Sequence, residues 1–227
     1  LEHRRQRQMC IRDSFIIALT GFLAVTYKKN TIKILKDAGF PALLGGLVMS
    51  LSFIAFVVAM TNTTVANVVF IISTQTMFLA IFGYFYLKEK VSFVSFISIL
   101  LAMSGITVMV GDSLSSGSFF GNIVALAIPI NFSILVMIIR KNKNLDMVPA
   151  IFYSGIFSVI YGLILSESFV FSNHDILMGF FLGVPQLAFG FICITIGSRS
   201  TPSTTIGLLM LSETLCAPIW VWLFLNE

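Results

Sequence analysis

The sequence predicts an all-α polytopic membrane protein, and three observations lead to that fold class. The chain has 227 residues, of which 57% are hydrophobic and only 11% are charged, against roughly 25% charged in an average soluble domain. One small core cannot bury that much apolar surface, so the composition excludes a soluble enzyme, and it is too apolar for a disordered chain. The apolar residues also form continuous runs near the ~20 residues that a spanning helix needs, without the alternation of barrel strands.

After a partial apolar run at 15–27, seven full runs predict spanning helices. Their approximate bounds are 41–61, 64–87, 91–110, 119–140, 147–166, 176–198 and 203–226. The interval 38–87 carries no charged residue and is too long for one helix, so the polar stretch Thr61–Thr64 predicts a turn in its middle.

Lysine and arginine occur only in alternate gaps between these runs. The basic gaps hold Lys28, Lys29, Lys33, Lys36, Lys88, Lys90, Arg140, Lys141, Lys143 and Arg199, whereas 61–64, 111–118 and 166–175 hold none. Because cytoplasmic loops are enriched in these residues, the basic side is predicted to be cytoplasmic. The net charge of +4 does not indicate a nucleic-acid partner, since the basic residues form no stripe.

The two ends of the chain differ from its interior. Residues 1–14 hold four of the fourteen Lys and Arg residues and resemble translated adapter read-through. We interpret them as a non-native artefact, and a basic signal-peptide start is the alternative. The short run at 15–27 and the stop at Glu227 lead us to expect a fragment.

An internal repeat relates two parts of the chain. Residues 41–89 align with 179–227 without a gap, with nine of 49 positions identical. Thr74-Gln75-Thr76 aligns with Ser212-Glu213-Thr214, and both copies end in Leu-x-Glu.

The aligned runs lie five spans apart, so the two copies are predicted to cross the membrane in opposite directions. Inverted repeats of this kind are a transporter architecture, with the binding site near the midplane. Inverted five-helix repeats predict ten helices, of which about eight are present here. We assign 15–110 to the first repeat, lacking its first helix, and 119–227 to the second, lacking its last.

The stretch 208–227 resembles the ninth helix of the EamA-type family of the drug/metabolite transporter superfamily. It carries Glu213, then Pro218, then an apolar run that ends Leu-Asn-Glu, where Asn226 replaces the family's usual Gly. The fourth helix, ending at Glu89 and Lys90, is similar, although Ala80 stands where that helix often has Pro. Arg140 at the end of the sixth helix also fits.

The resemblance covers nearly all of 15–227. It implies an inner-membrane secondary transporter, commonly an exporter of amino acids or other small metabolites, embedded in the bilayer, without a cofactor. Its motifs do not specify the substrate, and the oligomeric state stays open.

Glu213 is the one charged residue well inside a full predicted span. A central charge costs ~2.5–3.5 kcal/mol on insertion scales, so its side chain is expected to face protein or a wet cavity. It could exchange protons as a coupling site or contact a substrate amine. Alternatively, a protonated carboxyl could hold neighbouring helices together.

Four polar or kinked positions accompany it. Gln75 is its counterpart in the repeat and can donate and accept hydrogen bonds but cannot titrate. Asn131 and Gln186 each place an amide beside a proline, and the prolines free backbone carbonyls that could line a cavity. The three prolines inside spans are Pro129, Pro185 and Pro218. Simple helix packing is the competing interpretation for all of these residues.

Trp220 lies seven residues after Glu213, about two helical turns, so both share a helix face. It could stack on a substrate or a cation. Packing against a neighbouring helix is the alternative and is favoured.

Other function classes find less support. The three cysteines have no metal-ligand spacing, and no HExxH, P-loop or GxSxG motif occurs. A membrane-embedded enzyme would need several clustered acidic, His or Cys groups, so we expect a protein that is not an enzyme. The alternatives to a transporter are a non-transporting protein, such as an embedded enzyme or an assembly subunit, and a passive channel.

Overall fold

The computed structural model describes residues 2–110, 118–165, 177, 179–212 and 216, and the regular structure in them is helical. The helices are α1 Glu2–Tyr27, α2 Thr31–Asn62, α3 Val65–Ser73, α4 Gln75–Leu87, α5 Phe93–Val110, α6 Phe119–Lys141, α7 Val148–Leu165, α8 Gly179–Gly197 and α9 Ser203–Ser212. A π-helical stretch, Leu182–Ala188, lies inside α8.

Several of these segments are long and apolar enough to cross a bilayer. Within the described residues they are Ser14–Asn62, Val65–Leu87, Phe119–Lys141 and Gly179–Gly197. Shorter apolar helices occupy Phe93–Gly105, Val148–Ile164 and Ser203–Ser212. These lengths support a multi-pass membrane protein, while the repeat and the total number of spans stay predictions.

The turn predicted at 61–64 is where one helix ends and the next begins. α2 ends at Asn62, and Thr64 is extended with φ −74° and ψ 149°. The Thr64 side chain accepts a hydrogen bond from the Asn67 backbone N–H, which makes it the N-cap of α3.

The gap before the second predicted span is itself largely helical. A 3₁₀ turn, Lys28–Asn30, joins α1 to α2. Gly39 then interrupts α2 with φ 54° and ψ −150°, a conformation that only glycine adopts without strain. Pro41 follows immediately, so the apolar segment begins where the hydropathy pattern predicts it.

The chain divides into two compact units. The first unit comprises residues 1–57 and 138–200. Its core contains an edge-to-face aromatic trio, Phe15, Phe53 and Phe191, with ring centroids 5.7, 5.8 and 6.3 Å apart. Helices α2 and α7 pack closely there, because a Cβ on Gly46 would lie 2.8 Å from the Ala150 carbonyl oxygen.

The second unit comprises residues 58–137 and 201–227. Within its described residues the fully buried apolar side chains include Val68, Leu79, Ala125 and Leu135. Each unit contains segments from both predicted repeats, whose boundaries stay a prediction.

Candidate functional site

The predicted fourth span contains a break that its hydropathy does not reveal. Thr74 separates α3 from α4, and its N–H donates to the Ile71 carbonyl at 3.1 Å, three residues back rather than four. The Met77 N–H donates in the same way to the Thr74 carbonyl at 2.9 Å. The span is therefore locally tightened around Thr74.

Side-chain hydroxyls supply further hydrogen bonds at this break. The Ser73 hydroxyl donates to the Phe70 carbonyl and the Thr74 hydroxyl to the Ile71 carbonyl, each at 2.6 Å. Gln75 opens α4 immediately afterwards and is half-buried. The sequence thus places an amide side chain directly beside a discontinuity in a spanning helix.

The next residue joins this break to α9. Thr76 is fully buried, and its hydroxyl donates to the Gly207 carbonyl at 3.0 Å. The two backbones approach closely, since a Cβ on Gly207 would lie 2.9 Å from the Thr76 Cα. The polar stretch around Gln75 is therefore fixed against the helix that ends, in its described part, at Ser212.

The other predicted site residues are placed as follows. Asn131 is half-buried on α6 in the second unit, as is Gln75 on α4. Pro129 is buried, and the Ser133 hydroxyl donates to its carbonyl at 2.7 Å. Glu213, Pro218 and Trp220 lie outside the described residues.

Pro185 and Gln186 belong to the first unit and are both exposed. They lie inside the π-helical stretch Leu182–Ala188. Proline has no N–H to donate and is associated with helix kinks, so a departure from regular α-helix at Pro185 agrees with the predicted break in the backbone.

A polar cluster that sequence reasoning missed lies at the turn between α2 and α3. Buried Asn67 donates through Nδ2 to Thr63 Oγ1 at 3.0 Å and to Asn122 Oδ1 at 3.2 Å. Thr63 Oγ1 also donates to Asn122 Oδ1 at 2.7 Å. The gaps 61–64 and 111–118, both free of basic residues, are thus adjacent to one hydrogen-bonded cluster.

The acidic residue of the first Leu-x-Glu motif caps a helix in the second predicted repeat. Glu89 Oε2 accepts hydrogen bonds from the Ser203 N–H at 2.8 Å and the Ser203 hydroxyl at 2.6 Å. Ser203 is the first residue of α9, where backbone N–H groups lack partners within the helix. The recurrence of Glu at the end of both repeats was the only signal in the sequence.

Within the first unit, three basic gaps meet. The Tyr27 hydroxyl donates to Asp146 Oδ2. Arg140 donates to the Ser198 carbonyl at 3.2 Å, and Arg199 donates to the Lys143 carbonyl at 3.2 Å. These contacts agree with the predicted placement of the three gaps on one side of the membrane.

The described part of the chain contains no group of three or more His, Cys, Asp or Glu side chains that could hold a metal ion. The chemistry that these residues offer is hydrogen bonding by amides and hydroxyls, placed beside a broken helix.

Comparisons with known proteins agree with this arrangement. Residues 13–111 match the EamA-like transporter family. A protein of Clostridium kluyveri described as an uncharacterized transporter is 25% identical over 232 residues, covering 94% of this chain and 74% of the relative. A protein of known crystal structure shares the fold with a TM-score of 0.80 at 14% identity, covering 96% of this chain and 78% of that one.

The two sequence matches support a membrane transporter in general, and the structural match shows the fold alone. They confirm the resemblance drawn from the motifs: over residues 13–111 the chain carries the pattern of the EamA-like transporter family, within the drug/metabolite transporter superfamily.

Proposed function

We propose that this protein is an inner-membrane secondary transporter that exports amino acids or other small metabolites by alternating access, with proton coupling through Glu213. The match to a transporter family supports transport and favours a non-enzymatic role. The substrate class and the direction of transport rest on the resemblance of 208–227 to the ninth helix of that family.

The observation that carries the proposal is the break at Thr74, packed against α9. Secondary transporters commonly build their binding sites from discontinuous helices near the bilayer midplane, where freed polar groups contact the substrate. Irregular backbone at membrane depth is tolerated where protein or water satisfies it. The hydroxyl bonds of Ser73 and Thr74 and the buried bond from Thr76 to Gly207 supply that support here.

Gln75 is proposed to contact the substrate from this break. Its amide can donate to a carboxylate and accept from an ammonium group, the two charged groups of an amino acid. Asn131 on α6 offers the same chemistry within the same unit. Gln186 and Trp220 are retained as proposed contacts from the sequence pattern.

Glu213 is proposed as the coupling residue because the repeat aligns it with Gln75. An amide cannot titrate and a carboxyl can, so only this member of the aligned pair could carry a proton through the cycle. Pro129, Pro185 and Pro218 are proposed to supply the flexible points of the spans.

Metabolite export from cells tests the proposal. We would express the protein and its Glu213→Gln variant and compare metabolites inside and outside the cells, with and without a proton uncoupler. Asp37→Asn is the matched control, because it makes the same carboxyl-to-amide change at an exposed residue. The expected result is uncoupler-sensitive export of specific metabolites by the parent and by Asp37→Asn, lost in Glu213→Gln.

Other outcomes would separate the alternatives. Equal export by all three proteins would support transport and contradict the role of Glu213. Downhill flux that ignores the uncoupler would indicate a channel. An absence of export despite good membrane expression would overturn the transporter proposal and favour an assembly subunit.

A further inference from the structure

α4 and α9 touch at both ends of α4. At one end, buried Thr76 bonds to the Gly207 carbonyl, where a Cβ on Gly207 would meet the Thr76 Cα at 2.9 Å. Towards the other end, a Cβ on Gly83 would lie 2.0 Å from the Ser203 hydroxyl oxygen. Both helices therefore use a glycine to let the partner approach, and each glycine leaves no space for the helices to slide.

The end of α4 is shaped to bring Glu89 over this contact. Lys88 adopts a left-handed conformation with φ 55° and ψ 32°, which ends the helix. The N–H groups of Lys88 and Glu89 both donate to the Gly83 carbonyl, the latter at 3.0 Å. The chain thereby folds back, and the Glu89 carboxylate lies beside the same Gly83 that admits Ser203.

Glu89 is a stronger cap than the usual neutral one. A serine hydroxyl or an asparagine typically serves as the N-cap acceptor, whereas here an ionisable carboxylate from another helix accepts both Ser203 donors. Hydrogen bonds to ionised groups are roughly twice as strong as neutral ones, and a negative charge is favoured at a helix N-terminus. Ser203 is itself fully buried, so separating the helices would expose these polar groups to apolar surroundings.

The corresponding position in the first repeat is built differently. The alignment places Val65 opposite Ser203, and Val65 has no hydroxyl. There the N-cap is Thr64, from the same chain segment. The carboxylate cap on Ser203 therefore ties two segments that are 114 residues apart, whereas the Thr64 cap is local.

We propose that α4 and α9 form a clamp, closed by Gly83, Glu89 and Ser203, that stays closed throughout the transport cycle. Glu89 is then a positioning residue: it holds α9 in register with the break at Thr74 and keeps Gln75 in place. This inference rests on the proposed function, since the cycle is that of the proposed transporter.

A reversible cross-link between the clamped residues tests the inference. Gly83→Cys and Ser203→Cys would be combined in a protein whose native cysteines, Cys10, Cys193 and Cys216, are replaced by serine. A Cβ on residue 83 would lie 3.2 Å from the Ser203 Cβ, slightly closer than the ~3.5–4.5 Å that a disulfide spans. The expected result is that oxidised protein exports at a rate within about twofold of reduced protein, a difference of less than ~0.5 kcal/mol in the rate-limiting barrier. Export that stops on oxidation and returns on reduction would overturn the clamp.

A second variant keeps the test decisive if that pair does not fold. Ser203→Cys alone would be treated with a membrane-permeant maleimide in native membranes, beside Ser200→Cys, an exposed neighbour. A closed clamp predicts labelling at least about tenfold slower at 203 than at 200, because the thiol reacts only when the helices open locally. Adding Glu89→Gln should speed labelling at 203 and leave labelling at 200 unchanged.

Rapid labelling at 203 in the presence of Glu89, or no change with Glu89→Gln, would contradict the proposal. This readout does not require transport. A protein that labels as expected but exports nothing would therefore refute the proposed function and leave the clamp standing.

Discussion

The Tyr27 hydroxyl donates a hydrogen bond to the Asp146 carboxylate, which ties the end of α1 to the segment before α7. Asp146 has a second role, since its Oδ1 accepts a hydrogen bond at 3.1 Å from the N–H of Val148, the first residue of α7. One carboxylate therefore caps a helix and anchors another within the first unit.

Tyr27→Phe should lower stability by about 1 kcal/mol, the usual net value of one hydrogen bond, and Asp146→Ala should lower it further because the cap is also lost. The apparent Tm in detergent measures both effects. Tyr84→Phe is the matched control, because Tyr84 is 57% exposed and its hydroxyl should matter little. Equal Tm values for Tyr27→Phe and the parent would contradict the anchoring role.

Gly207→Ala should destabilise the second unit. The added methyl group would meet the Thr76 Cα and Cγ2, each at 2.9 Å, and backbone shifts of this kind cost about 1–3 kcal/mol. Gly190→Ala is the control within another helix, since a Cβ there meets nothing within 4 Å. It should be neutral or stabilise by up to ~1 kcal/mol, because alanine favours helix more than glycine does. Similar apparent Tm losses in both variants would refute the close-approach explanation.

Gly83→Ala should act through Ser203. Its methyl group would displace the Ser203 hydroxyl from Glu89 Oε2, so the hydrogen bond would already be lost in this variant. Ser203→Ala should therefore cost less in the Gly83→Ala background than in the parent, a coupling of about 0.5–3 kcal/mol between contacting residues. Stability measurements on the two single variants and the double variant test this expectation, and additive effects would contradict it.

Asn67 and Asn122 should also be energetically coupled. Truncating either to alanine removes their shared hydrogen bond, so the double variant should lose less stability than the two single variants together. Coupling between polar side chains in membrane proteins averages ~0.6 kcal/mol and reaches ~1.7 kcal/mol. A double-mutant cycle measures the coupling, and Asn62→Ala at the exposed end of α2 serves as a control partner. The absence of coupling between positions 67 and 122 would show that the cluster contributes nothing to stability.

Much of the helical outline was predictable because apolar length and charge set it. The turn at Thr61–Thr64 appears where a polar interruption divides a long uncharged stretch. The end of α4 at Leu87 appears where the charged residues begin. Both features depend on local composition, which a hydropathy pattern reports directly.

The break at Thr74 was not predicted, because hydroxyl side chains inside an apolar run barely change its hydropathy. Ser73 and Thr74 bond to carbonyls three residues back, and only the structure shows that they do so. The pairing of Glu89 with Ser203 was also beyond sequence reasoning, since it joins residues 114 positions apart. Gln75 could be nominated from the repeat, but its packing neighbours could not.

The π-helical stretch around Pro185 affects how this chain can tolerate insertions and deletions. A π-turn accommodates one more residue than an α-turn, so deleting one residue within Leu182–Ala188 would allow a regular α-helix to form there. The remainder of α8 would then rotate by about 100° about its axis, one residue's share of a 3.6-residue turn. Ile192 and Thr195, both buried now, would leave the core together. The extra residue sets the angular phase of everything that follows in α8.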